Sequence, residues 1–194
     1  MKTVYNPFTE KQYERARQKM KMKNKALAKA FSDFKNEHGR QLTIIGGCTG
    51  IALYENWGWR GKRLQEFYNE VDRAVDECSF DNGISMIEMC ENETGIVVYQ
   101  EGFSGDYKEL LYFQPEEQEL TVEQEIVMRK KQMRWVAPQI YALLFLALHR
   151  RYGFGPERIK RLKEQMEEVR SRYKGNEKKI HKEHDRITGV ELIK

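Results

Sequence analysis

The amino-acid sequence predicts a mainly α-helical chain with one small β-hairpin, an α+β fold built from two tandem modules that each contain a helix–turn–helix. Two observations predict it. Apolar residues recur at helical spacing along most of the 194 residues, and one such arrangement occurs twice, at an offset of 95 residues. We expect a first module over residues 1–98, led by a long basic helix. A β-hairpin and acidic linker follow over 96–120, and the second module covers 121–194.

The duplication is visible when two segments are aligned. "IALYENWGWRGKRLQEFYNEVDRAVDEC" begins at Ile51, and "LALHRRYGFGPERIKRLKEQMEEVRSRY" begins at Leu146. After a glycine–aromatic turn, both segments carry apolar residues at i, i+3, i+7, i+10 and i+14, which form one stripe along a helix. The module ends match as well, since "ETGIVV" resembles "ITGVEL" at an offset of 94 residues.

The repeated turn predicts a corner between two helices. Gly58 and Gly153 each follow the end of an apolar helix, where a residue with positive φ commonly closes the last turn. The next residue, Trp59 or Phe154, is then expected to fold back onto that helix. Pro156 suits the first position of the following helix, because its nitrogen needs no hydrogen-bond partner there.

Each module is expected to begin with a leader helix that carries an N-terminal capping box. Thr9 precedes Gln12 by three residues, and Thr121 precedes Gln124 by the same spacing. Paired side chains at this spacing satisfy free backbone N–H groups at a helix start. The first leader helix is predicted to end near His38.

The most apolar segment, "QIYALLFLALH" over residues 139–149, is apolar on every face and predicts an enclosed core helix. A homodimer interface is the alternative use of the same surface. The corresponding segment of the first module contains Gly46, Gly47 and Gly50, which would let another helix approach closely at a cost in helix propensity.

The predicted hairpin lies between the modules. Residues 96–100 and 110–113 are β-prone, and Gly102 and Gly105 suit the connection between them. The corresponding "GVELI" at the end of the second module would add a strand.

Composition excludes several classes of protein. The N-terminus lacks the apolar core of a signal peptide, and the apolar run over residues 135–148 contains Pro138 and is too short to span a bilayer. Three cysteines without a C-x-x-C spacing favour a reducing compartment. We therefore expect a cytoplasmic protein with no membrane partner.

No catalytic or metal-binding pattern stands out. His181 and His184 share a helix face, but no nearby cysteine completes a zinc site, and we expect neither metal nor cofactor. Cys48 in "GGCTG" resembles a nucleophile loop, yet it falls within the segment that aligns with the core helix. It is therefore interpreted as a packing residue, and the sequence predicts no enzymatic activity.

Charge is strongly segregated. Residues 64–125 contain 17 acidic and 2 basic residues, a net charge of −15, so the rest of the chain carries +19 to give the overall +4. Such separation attracts polyanions or an acidic protein surface. The alternative is that the acidic middle packs against the basic ends.

Two basic groups are candidate contacts for a partner or nucleic acid. One lies on the first helix and the other opens the helix after the second turn, where a helix-turn-helix protein contacts DNA. In the first module the corresponding helix becomes acidic, so the second module is the better candidate. The alternative is that these are solvated helix faces. The candidates are Arg15, Arg17, Lys19, Lys21, Lys23, Lys25, Arg158, Lys160 and Arg161.

The repeated "ALxxx[WY]G[WF]" motif, followed by a basic–apolar helix and "TG[IV]", resembles small uncharacterised helical proteins of phages and mobile elements of Gram-positive bacteria. The resemblance covers roughly half of the chain, and those relatives usually contain one module. It implies an anti-CRISPR-like binding protein that inhibits or modulates a host nucleoprotein or defence nuclease. A DNA-binding regulator of the helix-turn-helix type is the alternative. DNA or RNA is a candidate partner besides the host protein or nucleoprotein.

Overall fold

The structure is a computed structural model that describes the backbone of residues 7–77, 83–98, 121–190 and 192, with most of their side chains. Seven helices run through these residues. They are α1 (Pro7–Trp57), α2 (Gly61–Glu77), α3 (Gly83–Thr94), α4 (Val122–Met133), α5 (Val136–Tyr152), α6 (Pro156–Arg172) and α7 (Glu177–Thr188).

The prediction of an α+β fold is wrong, because the residues that the structure describes form helices and contain no strand. Ile96 and Val98 are buried and flank the exposed Val97, which is the alternation of a strand. Their side chains instead join the core formed by the helices. The rest of the predicted hairpin, over residues 99–120, lies outside the described residues. "GVELI" is likewise not a strand at Val190 or Leu192.

Helix α1 is one continuous helix of 51 residues, where the sequence predicts a leader helix and a separate core helix. Thr9 lies inside it, after Pro7, so the prediction that Thr9 caps the helix is wrong. The C-terminal part of α1, from Thr43 to Leu53, is buried and corresponds to the core helix α5 of the second module. Burial of this face offsets the low helix propensity of its glycines.

Helix α4 begins with the predicted capping box. The Thr121 backbone N–H donates to Oε1 of Gln124 at 2.8 Å, and the Gln124 backbone N–H donates to Oγ1 of Thr121 at 3.3 Å. This reciprocal pair satisfies two N–H groups at the helix start. The prediction of a capping box at Thr121 is therefore confirmed.

The ends of α3 and α7 have the same hydrogen bonds. The Thr94 hydroxyl donates to the Cys90 carbonyl at 2.6 Å, and the Ile96 N–H donates to Thr94 Oγ1 at 3.2 Å. In the second module the equivalent bonds involve Thr188 and measure 2.8 Å and 3.1 Å. The repeated "TG" is thus a helix end that anchors the following residue.

Each module packs its smaller helices on the core helix of the other module, so the two modules are related by a pseudo-twofold arrangement. Helix α7 of the second module packs on α1 of the first, and α3 of the first module packs on α5 of the second. In the same way α6 packs on α1 and α2 packs on α5, while α1 and α5 contact each other. Buried residues from both modules consequently form one hydrophobic cluster.

Gly47 and Gly50 leave a notch in the surface of α1, the glycine notch, against which α7 packs closely. A Cβ atom added to Gly47 would lie 2.6 Å from Cγ2 of Ile180, and one added to Gly50 would overlap the imidazole ring of His184. Side chains larger than hydrogen would therefore push α7 away from α1. In α5 the position equivalent to Gly50 is Phe145, which is fully buried. The two modules thus distribute large and small residues differently across equivalent contacts.

Candidate nucleic-acid interface

The first glycine–aromatic corner ends α1. Gly58 has φ of +66°, a backbone conformation that glycine adopts without steric cost. The following Trp59 N–H reaches back to the Leu53 carbonyl at 3.1 Å, and the indole is almost completely buried. The chain then enters α2 at Gly61.

The second corner repeats this geometry at the end of α5. Gly153 has φ of +65°, and the Phe154 N–H donates to the Leu148 carbonyl at 3.2 Å. Gly155 is extended and precedes Pro156, the first residue of α6. The residues that the sequence analysis placed in the turns therefore form them.

The two corners, far apart in sequence, are in direct contact. Trp57 packs on Phe154 with ring centroids 4.9 Å apart, and Trp59 packs on Tyr152 at 4.6 Å. Because Trp57 is equivalent to Tyr152 and Trp59 to Phe154, the two pairs are reciprocal across the pseudo-twofold arrangement. An aromatic cluster consequently joins the N-terminal ends of α2 and α6.

Guanidinium groups cover this cluster. Such cation–π contacts hold a cation near an aromatic ring while leaving it accessible to solvent. They place Arg63 over Trp59 at 4.3 Å, Arg161 over Trp57 at 5.7 Å and Arg158 over Phe154 at 6.0 Å, each measured from the guanidinium carbon to the ring centroid.

We name the exposed cations at the start of α2 and α6 the basic apex. The backbone of a helix carries a partial positive charge at its N-terminus, so two such ends add to the field of the side chains. Anions are attracted to this combination of charges. The basic apex consists of Arg60, Lys62, Arg63, Arg158, Lys160 and Arg161, all of them exposed.

Three nearby carboxylates reduce this positive potential. Glu157 forms an exposed ion pair with Lys160 at 3.1 Å. Burial raises the pKa of the Tyr152 phenol, and the negative charges of Glu66 and Glu70 raise it further, while Arg151 and Arg63 oppose the shift. The six cations of the apex therefore outnumber the three carboxylates Glu66, Glu70 and Glu157.

Sequence reasoning missed half of the basic apex. It gave Arg158, Lys160 and Arg161 as candidates, but it set aside the first module because α2 becomes acidic further along. Arg60, Lys62 and Arg63 lie at the start of α2, beside the second corner. The signal was present in the repeat itself, since Arg63 and Arg158 occupy equivalent positions.

The other predicted group lies at a distance. Lys21, Lys23 and Lys25 are exposed on α1, and Lys23 forms an ion pair with Glu123 of α4 at 2.6 Å. Thirty-four residues separate Lys23 from Trp57, about 51 Å along a helix. The side chains of Arg15, Arg17 and Lys19 lie outside those that the structure describes. The two predicted groups therefore form separate surfaces.

A buried polar cluster lies beside the glycine notch. His184 is completely buried, with Nε2 2.9 Å from the Tyr68 hydroxyl and Nδ1 3.1 Å from Oδ1 of Asp185. The Tyr68 hydroxyl also donates to the Gly46 carbonyl at 3.0 Å. Burial lowers the pKa of His184, while its hydrogen bond with Asp185 opposes that shift. The cluster was not found from the sequence, because the tyrosine and histidine are 116 residues apart.

The two cysteines that the structure describes are buried free thiols. Burial raises the pKa of Cys48 to about 12 and also raises the pKa of Cys90. At neutral pH Cys48 is therefore protonated and a poor nucleophile. Over the described parts of the chain, no group of three or more His, Cys, Asp or Glu side chains could hold a metal ion.

The chain matches no family model, no curated protein and no solved structure. Within the described residues, none of the helices combines the length and the apolar character needed to cross a membrane.

Proposed function

We propose that this chain is a non-enzymatic binding protein that engages the nucleic acid of a host nucleoprotein through the basic apex. The observation that carries the proposal is the meeting of two basic helix starts on one aromatic cluster. Trp59 lies beneath Arg63, and Trp57 lies beneath Arg161. Cations held beside aromatic rings are a common means of binding phosphate backbones and single strands.

The lysine-rich part of α1 provides a second, separate contact. Lys21 and Lys25 are exposed on the same helix that leads to the apex. A partner that spans both surfaces would extend over about 50 Å. That length suits a nucleoprotein better than a small ligand. The resemblance of the repeated motif to phage proteins supports a host defence nuclease as this nucleoprotein.

The packing argues against the helix-turn-helix alternative. In such proteins the first helix crosses the DNA backbone, and dimers place their recognition helices about one DNA turn, 34 Å, apart. Here the helix before the second turn, α5, is buried from Ile140 to Leu148. The two corners also contact each other directly, with Trp57 on Phe154. The two corners of one chain are therefore too close together to act as the two half-site readers of such a dimer.

A cytoplasmic location is part of the proposal. The free buried thiols of Cys48 and Cys90 support it, because structural cysteines of secreted proteins are commonly oxidised.

Fluorescence anisotropy with labelled single-stranded RNA and duplex DNA tests the proposal. We expect affinity to fall steeply between about 50 mM and about 200 mM salt, since released counterions drive phosphate binding. Reversing both charges in Arg158→Glu/Arg161→Glu should weaken binding at least tenfold and flatten the salt dependence by about one unit per lost contact. Binding that is absent or insensitive to salt would contradict the proposal.

A matched control makes the same change of charge elsewhere. Lys178→Glu/Lys179→Glu alters two exposed lysines at the start of α7, beyond the far end of α6, which lies about 17 Å from Arg161 along that helix. This variant should bind nearly as well as the native chain. Lys21→Glu/Lys25→Glu measures separately how much the lysines of α1 contribute to binding.

Co-purification of the native chain with candidate defence nucleases at moderate salt then tests the choice of partner.

A further inference from the structure

A pocket of about 760 Å³ opens between α1, α2, α5 and the C-terminal residues. Its volume lies in the range of small-molecule sites. The described wall combines apolar side chains with polar groups of α2. The residues that matter for the argument are Leu42, Gly46, Tyr68, Asp72, Leu144 and Leu192.

The second module shows what this pocket lacks. Tyr141 of α5 is equivalent to Gly46 of α1, and Glu167 of α6 is equivalent to Asp72 of α2. The Tyr141 hydroxyl donates to Oε1 of Glu167 at 3.0 Å. Burial raises the pKa of Tyr141, which keeps its phenol protonated and able to donate. The first module therefore retains the carboxylate of this pair but has no phenol at the equivalent position.

In the described part of the chain, the side chains beside Gly46 do not replace that phenol. Leu192 lies against Gly46, where it contributes an apolar wall without a donor. The hydroxyl of Tyr68 is shared between the Gly46 carbonyl and His184. No hydrogen bond or ion pair joins Asp72 to another residue in the described part of the chain. An exposed carboxylate acceptor thus remains available in the wall of a pocket that combines apolar and polar groups.

We propose that the pocket binds a small molecule that carries a phenol, whose hydroxyl donates to Asp72 while its ring lies among Leu42, Leu144 and Leu192. The intramolecular pair of Tyr141 and Glu167 is the template for this interaction. A hydrogen bond to a carboxylate is stronger than one between neutral groups, so the hydroxyl would contribute much of the selectivity. The inference does not depend on nucleic-acid binding.

The test is an NMR titration of the full chain with p-cresol, which has the side-chain structure of tyrosine. We expect saturable shifts confined to the pocket, with a Kd on the order of 1 mM, a reasonable affinity for so small a ligand. Toluene has the same ring and methyl group without the hydroxyl, and it should bind about tenfold more weakly.

Asp72→Ala should weaken p-cresol binding about tenfold and leave toluene binding unchanged. Glu66→Ala removes another exposed carboxylate of α2 that does not line the pocket, and it should bind p-cresol like the native chain. Failure of p-cresol to saturate, or equal binding to native chain and Asp72→Ala, would overturn the proposal. Tighter binding of benzylamine than of p-cresol would overturn it as well, because Asp72 would then pair with a cation.

Discussion

Trp59 of the first module and Tyr152 of the second lie with their ring centroids 4.6 Å apart, and Arg63 covers both rings. The contact joins two segments that the chain separates by most of a module. It also connects stability with the proposed function, because the rings that close the core carry the cations of the basic apex. A change in this cluster should therefore affect both properties.

Replacing Trp59 with alanine should reduce the free energy of unfolding by about 3–5 kcal/mol, since the side chain is almost fully buried and its loss leaves a cavity. Urea denaturation followed by circular dichroism measures this loss. Trp59→Phe gives the first corner the aromatic residue of the second corner, and it should reduce the free energy of unfolding much less. A loss in Trp59→Ala well below this range would show that packing of the ring contributes little.

The glycine notch predicts opposite effects for two similar substitutions. Gly50→Ala should destabilise the protein by about 1–3 kcal/mol, because a methyl group there meets Tyr68 and His184. Gly39→Ala places a methyl group in open space on the same helix and should stabilise by about 0.5–1 kcal/mol. Thermal unfolding measures both changes. Stabilisation by both substitutions would contradict the close contact between α1 and α7.

The repeat explains what the sequence could and could not predict. Local signals gave the capping box at Thr121 and the two corners, because the decisive hydrogen bonds join residues close together in sequence. The β-prone residues Ile96 and Val98 led to the wrong prediction of a strand. Their alternation indicates which side chains are buried, but it does not show that the segment forms a strand. The basic apex forms only because the two modules contact each other. The spacing of apolar residues predicts helices, but it does not predict which helices pack together.

The buried histidine predicts a pH dependence of stability. Burial lowers the pKa of His184 in the folded chain, and burial lowers that of His38 as well. As pH falls past about 6.5, the unfolded chain takes up these protons before the folded chain does. The stabilisation is therefore complete above that pH and is lost as pH decreases.

Unfolding free energies measured from about pH 8 to about pH 5.5 test the effect. Most carboxyl groups titrate below this range, so they contribute little to the change. The slope of unfolding free energy against pH gives the number of protons taken up on unfolding. His184→Gln should lower this number by up to one, and His38→Gln should separately remove the contribution of His38. An unchanged slope in His184→Gln would show that His184 titrates alike in the folded and unfolded chains.

The packing of each module's smaller helices on the other module predicts that the two modules cannot fold alone. Fragments 1–98 and 121–194 follow the module boundaries that the sequence suggests. Separately, each would expose the face of its core helix that the other module covers, because α7 packs on α1 and α3 packs on α5. We expect neither fragment alone to unfold cooperatively as a monomer. Mixed together, they should form a 1:1 complex with a cooperative thermal transition.

Analytical ultracentrifugation and circular dichroism of the separate and mixed fragments measure this assembly. Gly50→Phe in fragment 1–98 gives the first module the residue found at the equivalent position of the second, and it should prevent assembly because the ring would occupy the space of His184. Gly39→Ala in the same fragment is the control, and it should assemble normally. Cooperative unfolding of both fragments as separate monomers would instead make each module an independent domain. The contact between Trp59 and Tyr152 would then be an interface between domains and not part of a shared core.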